Sequence, residues 1–267
     1  MRNRTPSGKS PAEAGTAETI EKVGSLLLAQ PARGYRYGVD PFLLSSFVMP
    51  RLREKIVDLG TGCGIIALLL ASRWPTVKIW GVEIQTELSD IAKKNVLTNN
   101  LGDRCTILEG DIRRIGSGFP EGSFQRAVSN PPFRAPRSGR ISSEPQRAIA
   151  RQEISLAFRE LASTVSRLLG HGGIFDFIHL PGRLVEIFGT LTAHGLEPKR
   201  LRLVHSFRDG PPEMALLSAR KEGRPGLEVL PPLVIFRSPG SYTAEMRKIA
   251  GNQPPVRGRI NPPGKRT

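Results

Sequence analysis

Short apolar runs alternate with longer amphipathic stretches through the middle of the chain. The short runs are rich in Val, Ile, Leu and Phe and are bounded by glycine, proline or charged residues. That pattern is typical of strands buried in a sheet. The predicted strands are Lys55 to Leu59, Lys78 to Val82, Cys105 to Glu109, Phe124 to Val128, Gly172 to Ile178, Arg200 to His205 and Met214 to Ala219.

Helical periodicity separates most of these strands. The predicted helices are Ile65 to Trp74, Glu87 to Asn99, Ile154 to Leu169 and Arg183 to His194. Strands that alternate with helices indicate an α/β fold, with one sheet covered by helices on both faces.

The two ends of the chain lack this pattern. The first residues are rich in Ser, Pro, Gly and Ala, and the stretch from Arg247 to Thr267 holds six basic residues, four prolines and no acidic residue. Such composition favours disorder and weak phosphate binding. We therefore predict a flexible tail over residues 1–28, one domain over residues 29–222, and an extension with a basic flexible tail over residues 223–267.

The charge balance points to an anionic polymer as partner. The formal net charge is +15 and the isoelectric point is about 10.7, which favours a nucleic acid. One basic cluster is predicted to contact RNA, and a second one suits either RNA or a solvated face. The first cluster is Arg134, Arg137, Arg140, Arg147 and Arg151, and the second is Lys199, Arg200, Arg202 and Arg208.

The cysteines, histidines and apolar stretches indicate the cellular compartment and whether a metal or a membrane is involved. Only Cys63 and Cys105 occur, which disfavours a disulfide scaffold and fits a cytoplasmic protein. The four histidines are scattered without ligand spacing, so we expect no metal. The longest apolar stretch, Ile65 to Ala71, is too short to span a bilayer, so we expect no membrane association.

A glycine-rich turn follows the first predicted strand of the domain. Asp58 lies near the end of that strand, the turn contains Gly60, Gly62 and Gly64, and an apolar helix comes next. Asp58 and the three glycines are predicted to contact a cofactor. This order is typical of nucleotide-binding strand–loop–helix units, in which glycines let the backbone approach a ligand closely. Glu83 ends the next strand about 20 residues later, where an acid can accept hydrogen bonds from ribose hydroxyls.

The third strand leads to a second acidic candidate. Asp111 is placed to accept a hydrogen bond from an adenine amino group, and the alternative interpretation is a helix N-cap. Ile84 directly follows Glu83, and Ile112 directly follows Asp111. Both isoleucines are also predicted to contact the cofactor.

A polar and proline-rich motif closes the fourth strand. Asn130, Pro131, Pro132 and Phe133 follow Ser129, and the prolines restrict the backbone before any substrate arrives. The Asn130 side-chain oxygen and the Pro131 carbonyl can accept hydrogen bonds from a planar amino group, and Phe133 offers a face for a flipped base. We predict that these four residues are catalytic and that Asn130 also contacts the cofactor.

These motifs, in this order, resemble those of S-adenosylmethionine-dependent class I methyltransferases that methylate amino nitrogens. The resemblance covers roughly residues 34–220. Residues Gly34 to Leu44 and Pro145 to Glu153 are similar to two segments of the bacterial tRNA1(Val) (adenine(37)-N6)-methyltransferase family, with Gln152 where that family often has histidine.

The resemblance implies a Rossmann-like class I fold with seven mostly parallel strands, of which the last is antiparallel. It also implies S-adenosyl-L-methionine as cofactor, tRNA as substrate, direct in-line transfer to adenine N6, and a monomer. Arg134, Arg137, Arg147 and Arg151 are the expected substrate contacts.

Three alternatives remain open at this point. Ribosomal RNA guanine-N2 methyltransferases share Asn-Pro-Pro-Phe but often continue with histidine, where this chain has Arg134. Release-factor glutamine methyltransferases use Asn-Pro-Pro-Tyr and carry a helical N-terminal domain. A non-catalytic RNA-binding module on the same fold is the third.

Overall fold

A computed structural model of the chain describes residues 18–32, 37–115, 118–131 and 157–251. The strands are β1 Glu18–Val23, β2 Leu26–Pro31, β3 Lys55–Leu59, β4 Lys78–Glu83, β5 Cys105–Glu109, β6 Phe124–Ser129, β7 Leu169–His179, β8 Leu196–His205, β9 Pro212–Lys221, β10 Glu228–Val229, β11 Leu233–Val234, β12 Phe236–Ser238 and β13 Ser241–Tyr242. The helices are α1 Asp40–Phe47, α2 Ile65–Arg73, α3 Thr86–Thr98, α4 over residues 157–168, α5 Leu184–Ala193, which follows a 3-10 turn at Pro181–Arg183, and α6 Ala244–Ala250.

One large sheet organises the described part of the chain. Its order is β5-β4-β3-β6-β7-β9-β8, and both β10 and β11 pair with the outer side of β8. Every pairing among β3 to β7 is parallel, whereas β9 is antiparallel to β7 and β8. All seven predicted strands are confirmed, and so is the class I arrangement with β9 as the antiparallel member.

Helices cover both faces of this sheet, because its central strands are apolar on both sides. One buried cluster joins the sheet to α1, α2, α3 and the β1–β2 hairpin, and the other joins it to α4 and α5. In the second cluster, Phe175 and Phe177 stack with ring centroids 4.5 Å apart. The central parallel strands β3 and β6 therefore lie mostly in the interior, whereas β5 forms a partly exposed edge of the sheet.

The N-terminal boundary predicted at residue 28 is wrong. Residues 18–31 form the antiparallel β1–β2 hairpin, and Val23, Leu26 and Leu28 are buried. The hairpin depends on partners from α3, far away in sequence, so its short alternating pattern gave no signal by itself. Residues 1–17, also predicted to be flexible, lie outside the described part.

The predicted boundary at residue 222 is also wrong. Strands β10 and β11 extend the same sheet, and Met246 and Ala250 of α6 are buried. The predicted basic tail began at Arg247, which lies inside α6. Residues 223–251 thus belong to the domain, because short and irregular apolar segments bury themselves against β8 and α1. Residues 252–267 lie outside the described part.

Candidate active site

Four neighbouring strand ends bring the predicted site residues together. Strands β6, β3, β4 and β5 are adjacent and parallel, so their carboxyl ends open onto one edge of the sheet. Gly60, Glu83, Asp111 and Asn130 follow or complete these four strands. This edge is where open α/β sheets bind their ligands.

The glycine turn has the backbone conformation that its sequence predicts. Gly60, Gly62 and Gly64 have φ values of +76°, +58° and +83°, which side-chain-bearing residues rarely adopt. A Cβ at Gly60 would meet open space, whereas one at Gly64 would lie 3.2 Å from the Ala92 Cβ of α3. The positive φ therefore favours glycine at both positions, and at Gly64 the close contact with Ala92 leaves no room for a side chain.

Glu83 links the turn to the next strand. Its residue exposure is 5%, its Oε2 accepts a hydrogen bond from the Gly62 N–H at 2.9 Å, and its Oε1 accepts one from the Gln85 N–H at 2.9 Å. Each carboxylate oxygen has a second lone pair. Glu83 is thus held in place by the backbone while it keeps capacity to accept hydroxyl groups. The following residue, Ile84, is 59% exposed at the same edge.

Asp58 lies fully buried beneath the glycine turn. Its Oδ2 accepts a hydrogen bond from the Thr61 hydroxyl at 2.6 Å. Burial, with a smaller contribution from the charge of Glu83, raises the pKa of Asp58 to about 7, although the hydrogen bond from Thr61 opposes this shift. A cation at this edge would favour the charged form of Asp58. Together, the two carboxylates fit a ligand that carries both an ammonium group and hydroxyl groups.

Asn130 and Pro131 lie directly beside the glycine turn. The Ser129 hydroxyl donates a hydrogen bond to the Leu59 carbonyl at 2.7 Å and so ties the end of β6 to the end of β3. Asn130 and Pro131 follow, both half-buried. Pro132 and Phe133 lie outside the described residues, as do the predicted substrate contacts Arg134, Arg137, Arg147 and Arg151 and their neighbour Arg140.

Of the two roles considered for Asp111, the structure shows the capping one. Its carboxylate accepts a hydrogen bond from the Arg113 backbone N–H at 2.9 Å, as a turn-capping residue does, and also pairs with the Arg113 guanidinium. The hydrogen bond from Arg113 lowers the pKa of Asp111. Adenine would therefore have to share Asp111 with Arg113. Ile112 is half-buried and packs on the cluster beneath α4 and α5.

Most of the second basic cluster is engaged within the protein. Lys199 donates to the Arg224 carbonyl at 2.8 Å, Arg200 lies 4.5 Å from the centroid of the Phe47 ring, and Arg202 pairs with Glu245 at 2.7 Å. These contacts favour a structural role for the three side chains.

Asn95 supports the site and was missed in the sequence. Its Oδ1 accepts a hydrogen bond from the Ala29 N–H at 2.7 Å, and its Nδ2 donates to the carbonyls of Ala29 and Cys63 at 2.8 Å and 2.9 Å. Cys63 belongs to the glycine turn. Asn95 lies on the buried face of α3, in helical register with Ile91 and Leu88. A polar amide among these apolar positions was the sequence signal for a buried structural role.

The described ranges lack the features of a metal site and of a membrane-spanning helix. They contain no group of three or more His, Cys, Asp or Glu side chains that could hold a metal ion. None of their helices has the length and hydrophobicity needed to cross a membrane.

The sheet order, the glycine turn and the acidic strand ends define a class I methyltransferase. The family model described as methyltransferase small domain matches residues 39–156. A tRNA1(Val) (adenine(37)-N6)-methyltransferase of Porphyromonas gingivalis is 30% identical over 219 residues, which are 79% of this chain and 85% of the relative. One from Vibrio campbellii is 30% identical over 190 residues, 71% of this chain and 77% of that one.

The chain therefore belongs to the tRNA1(Val) (adenine(37)-N6)-methyltransferase family. Two solved structures agree on the fold. Atu636 of Agrobacterium tumefaciens, described as a predicted O-methyltransferase, has a TM-score of 0.66 at 21% identity. The match covers 79% of this chain and 95% of the Atu636 chain. TrmN of Thermus thermophilus has a TM-score of 0.53 at 21% identity. The match covers 68% of this chain and 48% of the TrmN chain.

Proposed function

We propose that this enzyme transfers a methyl group from S-adenosyl-L-methionine to N6 of an adenine in tRNA. The named relatives point to adenosine 37 of tRNA1(Val) as the substrate nucleotide. We also propose that the enzyme acts in the cytoplasm, where its tRNA substrate is found.

The observation that carries the proposal is the contact between the end of β6 and the glycine turn. Because the Ser129 hydroxyl is bonded to the Leu59 carbonyl, Asn130 and Pro131 lie next to Gly60. Acceptors for an amino group and a cradle for a nucleotide-like cofactor are therefore adjacent, as methyl transfer between two bound molecules requires.

The proposed cofactor site uses the glycine turn and two carboxylates. Glu83 would accept hydrogen bonds from the ribose hydroxyls, and Asp58 would supply negative charge to the amino-acid end. Ile84 would contact the adenine ring, while Asp111 and Ile112 would border it. When bound, S-adenosyl-L-methionine supplies an electrophilic methyl group on a positively charged sulfur.

Asn130 and Pro131 would prepare the amino nitrogen for reaction. Their side-chain and backbone oxygens would accept hydrogen bonds from the two amino N–H groups, which favours the pyramidal geometry that the nitrogen adopts in the transition state. Asn130 and Pro131 would keep the nitrogen oriented toward the methyl group, and the proton that the methylated nitrogen loses would pass to solvent. Phe133 remains our proposed stacking residue, on sequence grounds alone.

The RNA part of the proposal rests on charge. The net charge of +15 favours binding to a polyanion. The arginine cluster that follows the catalytic motif in the chain would contact the RNA near the reacting base, and arginine suits both phosphate and base contacts.

The test is transfer of a labelled methyl group to separate pools of unmodified tRNA, ribosomal RNA and release factor, followed by mass analysis of nucleosides and amino acids. Asn130→Ala should lower turnover by at least about 100-fold, because it removes a transition-state acceptor. The same change should leave cofactor affinity within about two-fold. Gln125→Ala, at the opposite end of β6, is the matched control and should retain full turnover.

Each alternative has its own outcome. N6-methyladenosine in tRNA supports the proposal, and N2-methylguanosine in ribosomal RNA or methylglutamine in release factor would replace it. Transfer to none of the pools would favour a binding module. Equal loss of turnover and cofactor affinity in Asn130→Ala would contradict the role given to Asn130.

A further inference from the structure

A cavity lies away from the cofactor edge. Its volume is about 460 Å³, it is open to solvent on one side, and it is bordered by the turn of the β1–β2 hairpin, by α1, by the last residues of α2 and by α6. Small-molecule sites typically have volumes of about 300–1,000 Å³. We call this cavity the hairpin pocket.

The hairpin pocket is separate from the glycine turn. Helix α2 begins directly after Gly64, whereas it contributes Leu69, Ser72 and Arg73 to the pocket. Eight residues of helix separate Gly64 from Ser72, which corresponds to about 12 Å. None of Asp58, Gly60, Glu83 or Asn130 lines the pocket. A ligand here would therefore not occupy the proposed cofactor site.

The wall of the pocket carries an excess of positive charge. Arg73 and Lys248 line it and are exposed. Arg202 also lines it but is paired with Glu245 at 2.7 Å. That ion pair is nearly neutral, so Arg73 and Lys248 provide the net charge. Two cations on the wall of one cavity suit a phosphate group.

The interior combines an apolar floor with one buried hydroxyl group. Phe42, Leu26 and Leu69 line the floor. Ser45 lines the same cavity, its residue exposure is only 6%, and its Oγ makes no hydrogen bond within the described part of the chain. A buried polar atom without a partner carries a free-energy cost. Rotation of the Ser45 side chain about its Cα–Cβ bond would present the hydroxyl to a ligand in the cavity, and a hydrogen bond there would remove that cost.

From these features we propose that the hairpin pocket binds a nucleotide. The phosphate would lie between Arg73 and Lys248, the ribose or base would hydrogen-bond Ser45, and the base would cover the apolar floor. The nucleotide is either a residue of the bound RNA or a free mononucleotide, because both present the same chemistry. The segment after Gly251 is a poor competitor, since its four charged residues are all basic.

The first experiment titrates the full-length enzyme with uridine monophosphate and with uridine, in saturating S-adenosylhomocysteine. A pyrimidine probe and a filled cofactor site exclude binding at the glycine turn. Arg73→Gln combined with Lys248→Gln should weaken binding of uridine monophosphate by about ten-fold or more. Ser45→Ala should weaken it by about five-fold, and uridine should bind more weakly than its monophosphate.

The matched control is Arg51→Gln combined with Lys78→Gln. It removes the same charge from two exposed residues that do not line the pocket. We expect this variant to bind uridine monophosphate as the wild type does.

A second experiment measures binding of an unmodified tRNA transcript to the same variants. If the pocket variant and Ser45→Ala lose more tRNA affinity than the control, the nucleotide belongs to the RNA. If only binding of uridine monophosphate falls, the ligand is a free nucleotide. Equal behaviour of the pocket variants and the control toward both probes would overturn the proposal. Methyl transfer to tRNA is scored separately, so failure of the proposed reaction is distinguishable from failure of the pocket.

Discussion

At the scale of single residues, two acids at one edge of the sheet differ in what surrounds them. Glu83 receives backbone N–H groups on both oxygens. Asp58 is fully buried, and burial raises its pKa to about 7 although Thr61 donates a hydrogen bond to it. Asp58 therefore gains or loses a proton near neutrality, which couples the cofactor site to pH.

This coupling predicts a pH-dependent stability. The pKa of Asp58 is 3.8 when unperturbed and about 7 in the folded protein, so the folded state binds the proton more tightly. Its contribution to the free energy of unfolding is fully present below about pH 4 and is lost as the pH rises through about 7. Asp58→Asn should flatten that decline, measured by urea unfolding of the cofactor-free protein between pH 4 and 8. Identical pH profiles for the two proteins would contradict the assigned pKa.

At the scale of elements, side chains of α3 complete an edge strand. Asn99 exchanges hydrogen bonds with the backbone of Leu27 at 2.8 Å and 2.7 Å, and Asn95 does the same with Ala29. Asn95 in α3 and Asn99 at its C-cap thus satisfy backbone groups of β2 that a neighbouring strand would otherwise pair. This is one way to protect a sheet edge, and it connects the hairpin to the glycine turn through the Cys63 carbonyl.

Substitution of the two asparagines should therefore have unequal effects. Asn95→Leu leaves three buried backbone groups without partners and should lower the free energy of unfolding by about 2–4 kcal/mol. It should also weaken S-adenosyl-L-methionine binding, because the Cys63 carbonyl loses its donor. Asn99→Ala, at the half-buried C-cap of α3, should cost about 1 kcal/mol and leave cofactor binding unchanged. Calorimetric melting and cofactor titration of both variants test this, and equal effects would argue against a role of Asn95 at the turn.

At the scale of the whole molecule, a buried ion network joins the middle of the sheet to the segment before β3. Arg126 of β6 contacts Glu54 at 2.8 Å, the Met49 carbonyl at 2.9 Å, and Asp176 of β7. Arg126, Glu54 and Asp176 have residue exposures of 5%, 7% and 1%. Two carboxylates and one guanidinium in this interior depend on one another, because each would otherwise be a buried charge without compensation.

Removal of the central cation should accordingly be severe. Arg126→Met should lower the free energy of unfolding by about 3–5 kcal/mol, since it leaves Glu54 and Asp176 buried without their cation. Arg113→Met removes an exposed guanidinium that pairs with Asp111 and should have a far smaller effect. Chemical denaturation of both variants gives the comparison. A similar loss in the two would mean that burial of the network is unimportant.

The structure also shows at which residue the C-terminal tail can be removed without damage to the domain. A truncation before Arg247 would destroy α6 and expose the core at Met246, whereas a truncation after Gly251 removes four basic residues and leaves the described domain whole. The plot of log K against log salt for tRNA binding has a negative slope. The second truncation should reduce the magnitude of this slope by up to about 3 units, if all four basic residues contact phosphate. Filter binding across salt concentrations measures this slope, and cofactor affinity should not change. An unchanged slope would exclude the tail from RNA binding.

The sequence alone determined the elements whose signals are local. The glycine turn, Glu83 and Asn130 were predictable because each directly follows or ends an apolar strand, and parallel strands bring such ends together. Only the tertiary structure decided the features that depend on distant partners: the hairpin held by Asn95, the Arg126 network, the contacts of Arg202 and the hairpin pocket. A polar or basic residue has the same letter whether it meets solvent, RNA or a buried partner, and folding selects among these by bringing together residues far apart in the chain.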